Sequence, residues 1–364
     1  MAMGNRPDVP KASAPVVAID TAVLAEQMLA ALARVPFRQP FQGDSNPLSN
    51  CAITLTREVL KTFMGYSTSL PVPEFRSIEL ALDEFCKFAL LPVVRVFDVT
   101  SHQMDLGGVP GILYMPRRTP PRGAILYLHG GGYVGTSPNM YAFFSARLCH
   151  ETKCAVYVAD YRLAPEFPFP ADVEDAAAVL NSLIKHGSPP ERLLIAGDSA
   201  GGGLANTLLL DTPDHVDLVQ PAGLILFSPE VDLRLDEPSV TENAPRDILP
   251  WNIPTACYLH GFDASSTFVS SDNADLSGYP PVWVSWGGDE MFRDPIRRFV
   301  ERLREADVPT EAVEVPGMFH VFQILMPWLA KSRGLYRSVE RFVDTVLDKA
   351  PPMHERCLEA LRDS

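Results

Sequence analysis

Gly197-Asp198-Ser199-Ala200-Gly201-Gly202 decides how the chain is read. Before it runs an apolar stretch, Arg192-Leu193-Leu194-Ile195-Ala196, which has the composition of a buried parallel strand. After it, Gly203-Leu204-Ala205-Asn206-Thr207-Leu208-Leu209-Leu210 has helical character. A serine between glycines on a sharp strand-to-helix turn is a G-x-S-x-G elbow. Such a turn needs neighbours without bulky side chains, because a side chain would collide with strand or helix. The helix N-terminus then offers free N–H groups and a positive dipole end to the Ser199 hydroxyl. Taken alone the motif is short. Its chemistry requires partners downstream, an acid and then a histidine.

Composition narrows the classes. The chain has 364 residues, enough for a large core, with 46% hydrophobic and 21% charged residues, as in soluble globular proteins. A net charge of −14 argues against nucleic acid as partner, since phosphate binding needs clustered Lys and Arg. No uninterrupted apolar run approaches the roughly 20 residues of a membrane span, and Met1 to Asp20 lacks the basic and apolar blocks of a signal peptide. The cysteines (Cys51, Cys86, Cys149, Cys154, Cys257, Cys357) show no C-x-x-C or metal spacing, which reads as reduced thiols in a cytoplasmic protein without a metal.

Along the chain, residues 1–20 read as a loose arm. Ala22–Val35, Ile53–Met64 and Ile78–Leu90 read as helices with no core strand before them, hence a cap over residues 1–90. Residues 91–350 read as the main domain. Its strands are expected at Val93–Val99, Gly111–Pro116, Ala124–Leu128, Cys154–Tyr161, Leu193–Ala196, Gly223–Ser228, Pro281–Trp286 and Glu311–Val315. Helices at Met140–Thr152, Ala171–Lys185, Pro295–Glu305 and Ser332–Leu347 alternate with them. The pattern predicts an α/β fold: a mostly parallel, eight-stranded sheet with helices on both faces. Residues 229–279 break the alternation and read as an insertion that contributes to the cap. Residues 351–364 form a charged tail.

Two further stretches complete a constellation. His129-Gly130-Gly131-Gly132 follows a buried strand, and successive glycines let backbone N–H groups approach a ligand. Gly131, Gly132 and Ala200 are the candidate donors to an oxyanion, and His129 is read as structural. Pro316-Gly317-Met318-Phe319-His320 places a histidine after the last strand, C-terminal to Ser199, as a general base requires. The other histidines lie in helices, irregular segments or outside the alternating core. The acid that orients the imidazole belongs in Gly288-Asp289-Glu290-Met291-Phe292-Arg293-Asp294. There Asp289 and Glu290 both fit, and Asp294 reads as a first-turn residue of the next helix.

Together with Asp160-Tyr161-Arg162-Leu163-Ala164-Pro165-Glu166 and Asn273 to Pro281, these stretches resemble the hormone-sensitive-lipase-like branch of the α/β-hydrolases, over roughly Val93 to Leu347. The resemblance implies an α/β-hydrolase fold with a helical cap, a Ser-acid-His triad and no cofactor. It points to Glu290 as the acid, four residues before Asp294, with Asp289 the runner-up; Phe292 stands where the family pattern has Leu. The implied activity is hydrolysis of short- to medium-chain carboxylic esters through Ser199, His320 and Glu290. Tyr133, Phe319 and Phe322, with Phe37 and Phe41, are candidate pocket walls, although aromatics serve equally as core. An amidase, transacylase or lyase would use the same triad, and a retired fold would leave a non-catalytic small-molecule receptor. A homodimer is left open by the sequence.

Overall fold

A computed structural model of the chain describes residues 11–37, 46–210, 220–250, 253, 255–348 and 350. Three long helices come first: α1 (Ala14–Arg34), α2 (Pro47–Ser67) and α3 (Val72–Val96). Each is longer than the sequence pattern indicated, because each begins with a proline in its first turn, upstream of the apolar spacing. Pro15, Pro47 and Pro73 lie in first turns, where a missing N–H loses nothing. Asn46 caps α2, its side chain accepting from Ser49 N at 2.9 Å. The loose arm expected over residues 1–20 is helical from Ala14, and residues 1–10 lie outside the described residues. The helical segment Ala14–Phe37 is also long and apolar enough to cross a membrane by length and composition, which corrects the count of uninterrupted runs. Asp20 and Glu26 are its charged residues before Arg34, and Thr21 and Gln27 are polar.

A second correction concerns the first strand. Val93–Val99 was expected to be extended, but α3 continues to Val96. A short β-branched run fits either period, and here it prolongs an established helix. The expected boundary at residue 90 therefore falls inside α3. The strand that opens the sheet is β1 (Val99–Leu106), joined to β2 (Val109–Pro116) by Gly107-Gly108, both at positive φ (68° and 88°). That two-glycine loop is a hairpin signal, and Asp105 accepts from Gly108 N at 2.8 Å.

The remaining elements alternate: β3 (Ala124–Leu128), α4 (Ala142–Thr152), β4 (Ala155–Ala159), α5 (Ala171–Lys185), β5 (Leu193–Asp198), α6 (Ser199–Leu209) and β6 (Gly223–Phe227). The stretch after β6 holds the short helices α7 (Pro238–Glu242) and α8 (Thr255–Leu259) and a 3-10 turn at Ser271–Asn273 among its described residues. Then follow β7 (Val282–Gly287), α9 (Arg293–Glu305), β8 (Thr310–Val315), α10 (Phe322–Leu325) and α11 (Ala330–Leu347). The eight strands form one sheet in the order β1-β2-β4-β3-β5-β6-β7-β8. The β1–β2 and β2–β4 pairs are antiparallel and the rest parallel.

Strand residues alternate between two cores, as the pleat demands. Leu126, Leu128, Ile195, Leu224 and Leu226 pack with α5, α6 and α9. Ile125, Tyr127, Leu194, Ala196 and Ile225 pack with α4 and α11 on the other face. Because β3 to β8 run parallel, their C-terminal ends open on one edge, where an open α/β sheet binds its ligand.

Arg76 fastens α3 to that edge. Its guanidinium is 2% exposed and pairs with Glu79 at 2.8 Å and Glu166 at 2.6 Å. It also donates to Ala164 O at 2.7 Å and to Val134 O. Removing it strands the buried carboxylate of Glu79 beside a lost ion pair. Arg76→Met is expected to destabilise the chain by about 3–5 kcal/mol. Chemical denaturation checks this, and an unshifted midpoint would contradict it.

Candidate active site

The turn from β5 into α6 puts Ser199 at φ 52°, the left-handed region that residues with a Cβ rarely adopt. Close approach explains the glycines around it. A Cβ on Gly197 would lie 2.3 Å from Gly201 O, and one on Gly201 would lie 2.1 Å from Leu128 O. Asp198 ties this turn to the glycine loop after β3. Its buried carboxylate accepts from Gly130 N at 3.0 Å, Tyr127 Oη at 2.6 Å and Tyr141 Oη at 2.8 Å. Burial still pushes the Asp198 carboxyl up to about 6, against the pull of these donors.

The glycine loop has its own supports. The His129 ring stacks on Tyr161 with centroids 4.5 Å apart, and Tyr161 Oη donates to His129 O at 2.5 Å. Thr136 donates to Gly130 O and lies 2.8 Å from His129 Nδ1. His129 thus sits behind the loop. Gly131 and Gly132 line the cavity above Ser199 at φ 125° and 62°, and no described group accepts from their N–H groups. Ala200 is the second residue of α6, so its N–H is one of the helix's orphan donors. The structure brings all three candidate donors around one serine.

His320 reaches the same point from the loop after β8. Ser199 Oγ lies 2.8 Å from His320 Nε2, and the neutral ring that burial favours can accept from the hydroxyl there. On the other side of the ring, Nδ1 faces Glu290 Oε2 at 3.5 Å. That is longer than a good hydrogen bond, as is common before substrate tightens a site. Asp289 is a quarter exposed and faces Arg246 at 3.7 Å. Of the two open candidates, Glu290 stands at the imidazole. Asp294 sits in the first turn of α9, paired with Arg293 at 2.7 Å and accepting from Ser239 N at 3.0 Å. Burial raises Glu290 to about 8 and lowers His320 below its ordinary value, the latter opposed by Asp247 and Asp198. Both shifts favour a neutral resting pair.

The sequence reading missed Asp247. This fully buried carboxylate accepts from His320 N at 2.9 Å through Oδ1 and from Met291 N at 2.7 Å through Oδ2. It therefore clamps the backbone of the histidine to that of the residue after Glu290. Only the fold brings residue 247 between 291 and 320; nothing in the local sequence signals it.

The aromatic wall assignments need correction. Tyr133 stacks on Tyr258 at 3.7 Å, and Phe319 and Phe322 are buried in the core beside α4 and α11. None of the three is among the residues lining the cavity. Packing under the sheet edge claimed them, a decision that tertiary structure makes. Phe37 is 88% exposed, and Phe41 lies outside the described residues. The walls are Leu60, Phe63 and Met64 of α2, Phe75 and Ile78 of α3, Ile248 and Leu249 after α7, and Phe292. They enclose about 270 Å³ above Ser199 and His320.

A sheet of this order with a serine elbow and a histidine after the last strand defines the α/β-hydrolase class. The model of a family described as alpha/beta hydrolase fold matches residues 125–324. An acetyl-hydrolase of Streptomyces hygroscopicus is 36% identical over 228 residues, 61% of this chain and 75% of that one. An esterase of Acinetobacter venetianus is 30% identical over 271 residues, 73% and 87% of the two chains. Among solved structures, the hormone-sensitive-lipase homologue EstE7 from a metagenome library superposes with TM-score 0.69 at 30% identity, covering 80% of this chain and 98% of that one. The chain belongs to the α/β-hydrolase family, in its hormone-sensitive-lipase-like branch, and is a carboxylic ester hydrolase.

Three backbone N–H groups donate to Asp247, so Asp247→Asn puts an NH₂ group against at least one of them and loosens the loops they hold. It is expected to lower kcat by about 10²-fold, the penalty of a small misplacement, with circular dichroism unchanged. Steady-state kinetics on an activated ester check it; an undiminished kcat would show that the clamp is dispensable.

Proposed function

We propose that the chain hydrolyses short- to medium-chain carboxylic esters by two-step acyl transfer. Ser199 attacks the ester carbonyl while His320 accepts its proton at Nε2. The N–H groups of Gly131, Gly132 and Ala200 receive the oxyanion, where charge develops. His320 then protonates the leaving alcohol. Water, activated by the same ring, releases the acid and frees Ser199. Glu290 holds the ring tautomer and pairs with the imidazolium. The observation that carries this reading is the 2.8 Å contact between Ser199 Oγ and His320 Nε2 at the floor of an apolar cavity.

Residues 1–90 and 229–279 act in this reading as the cap that sizes the acyl and alcohol chains. The cavity walls supplied by α2, α3 and Ile248-Leu249 support that role. The enclosed volume of about 270 Å³ supports modest chain lengths.

Ser199→Ala is expected to reduce kcat on p-nitrophenyl acetate and butyrate by at least about 10⁴-fold and to abolish labelling by a fluorophosphonate. Turnover and labelling that survive in the variant would overturn the assignment. The pH profile has a defined sign. His320 must be neutral to accept a proton, and Glu290 must be ionised to stabilise the imidazolium. Because burial raises Glu290 to about 8, kcat/KM rises with pH and levels off above that value. The apparent pKa belongs to the pair. A profile flat from about pH 6 upward would contradict this electrostatic account.

A further inference from the structure

Three carboxyls, Glu79, Asp198 and Glu230, line the cavity, and the reaction uses none of them directly. After β6 the chain turns through Ser228-Pro229-Glu230. Glu230 N donates to Ser199 O at 2.9 Å, which fixes this backbone to the elbow. On its other side Glu230 O packs on α6, 2.3 Å from where a Cβ on Gly203 would stand. The side chain is 2% exposed and lines the cavity together with Ser199 and His320.

Its surroundings differ from those of the other acids nearby. Asp198 and Asp247 are also buried, but each accepts from backbone or tyrosine donors. Glu79, across the cavity, is paired with Arg76. Oε1 of Glu230 is buried with no hydrogen-bond partner, and no described group donates to either oxygen. Burial alone accounts for its pKa being pushed up to about 8. No Lys or Arg is among the described residues lining the cavity, and most of its wall is apolar. A buried acceptor left unpaired is costly, and one that faces a ligand cavity is relieved when a bound donor reaches it.

We propose that Glu230 is a specificity residue that receives a hydrogen-bond donor, a hydroxyl or an amine, carried on the ester chain seated beside Ser199. The proposal rests on the ester-hydrolase reading of the same cavity and names its preferred substrates: hydroxylated or amine-bearing esters over plain alkyl ones. Esters ending in a carboxylate are rejected, since no cation in the lining meets them. The position is legible in retrospect, because Glu230 lies three residues beyond the end of β6, in Phe227-Ser228-Pro229-Glu230, on the ligand edge of the sheet.

The test compares kcat/KM for matched esters. n-Alkyl acetates of two to six carbons are set against the corresponding ω-hydroxyalkyl and ω-aminoalkyl acetates. Methyl alkanoates are set against methyl ω-hydroxyalkanoates. Wild type, Glu230→Leu and Glu230→Met are measured, each normalised by fluorophosphonate titration. Wild type is expected to favour a donor-bearing ester over its alkyl match by at least about tenfold at one chain length or more. Both variants are expected to lower that ratio by at least about tenfold and to melt a few degrees higher, as an unpartnered carboxyl is removed. A response in the hydroxyl arm assigns an alcohol, one in the amine arm assigns an ammonium, and either supports the proposal. A wild type indifferent to the donor, or a ratio unmoved in both variants, would overturn it. Failure of the ester-hydrolase reading looks different: wild type would then neither turn over p-nitrophenyl acetate nor take the fluorophosphonate label.

Discussion

The structure depends on one strained residue held by crowding. Ser199 at φ 52° is disfavoured on its own, and it persists because α6 is pressed against β5 and β3. Gly197 and Gly201 allow that approach, since any Cβ there would meet a backbone oxygen at under 2.5 Å. Asp198 adds three hydrogen bonds that reach across to the glycine loop and its tyrosines. The same few residues thus lift the hydroxyl above the sheet, start a helix beneath it and fix the glycine loop that lines the cavity beside it. Elbow and donor loop are one packed unit.

His320 and Glu290 form a second unit, assembled from farther apart. Gly287 packs under Met318, and Asp289 N donates to Met318 O at 3.0 Å, so the loops after β7 and β8 lie against each other. Asp247 joins them from a third segment. The stretch after β6 therefore does more than cover the site; it supplies the clamp, two cavity walls and Glu230. Burial raises the carboxyls of Asp198, Asp247 and Glu290 that crowd around this one imidazole, so their titrations are coupled.

Much of this was legible in the sequence. Buried strands beside glycine motifs announced themselves because parallel strands are apolar throughout and their ligand-side turns need glycine. Ser199, His320 and the glycine loop were placed from order alone, and Glu290 over Asp289 from the family spacing. The misreadings share a cause. At Val93–Val99 a short apolar run fits helix and strand equally, and the helix already under way decided it. The first turns of α1, α2 and α3 fell outside the expected helices, although Pro15, Pro47 and Pro73 suit such first turns. Tyr133, Phe319 and Phe322 were drawn to the pocket by their type, whereas their rings fill the core. Asp247 stayed invisible because its partners are 44 and 73 residues away along the chain.

The central claim is that Ser199 forms a covalent bond with the acyl group during turnover. Rapid-quench mass spectrometry during hydrolysis of p-nitrophenyl acetate tests it most directly. The account predicts an acetyl group on the peptide that carries Ser199, at that residue, appearing before steady state and lost as substrate is exhausted. Continued turnover with no acetylated peptide at any quench time, or acetyl on another residue in its place, would contradict it.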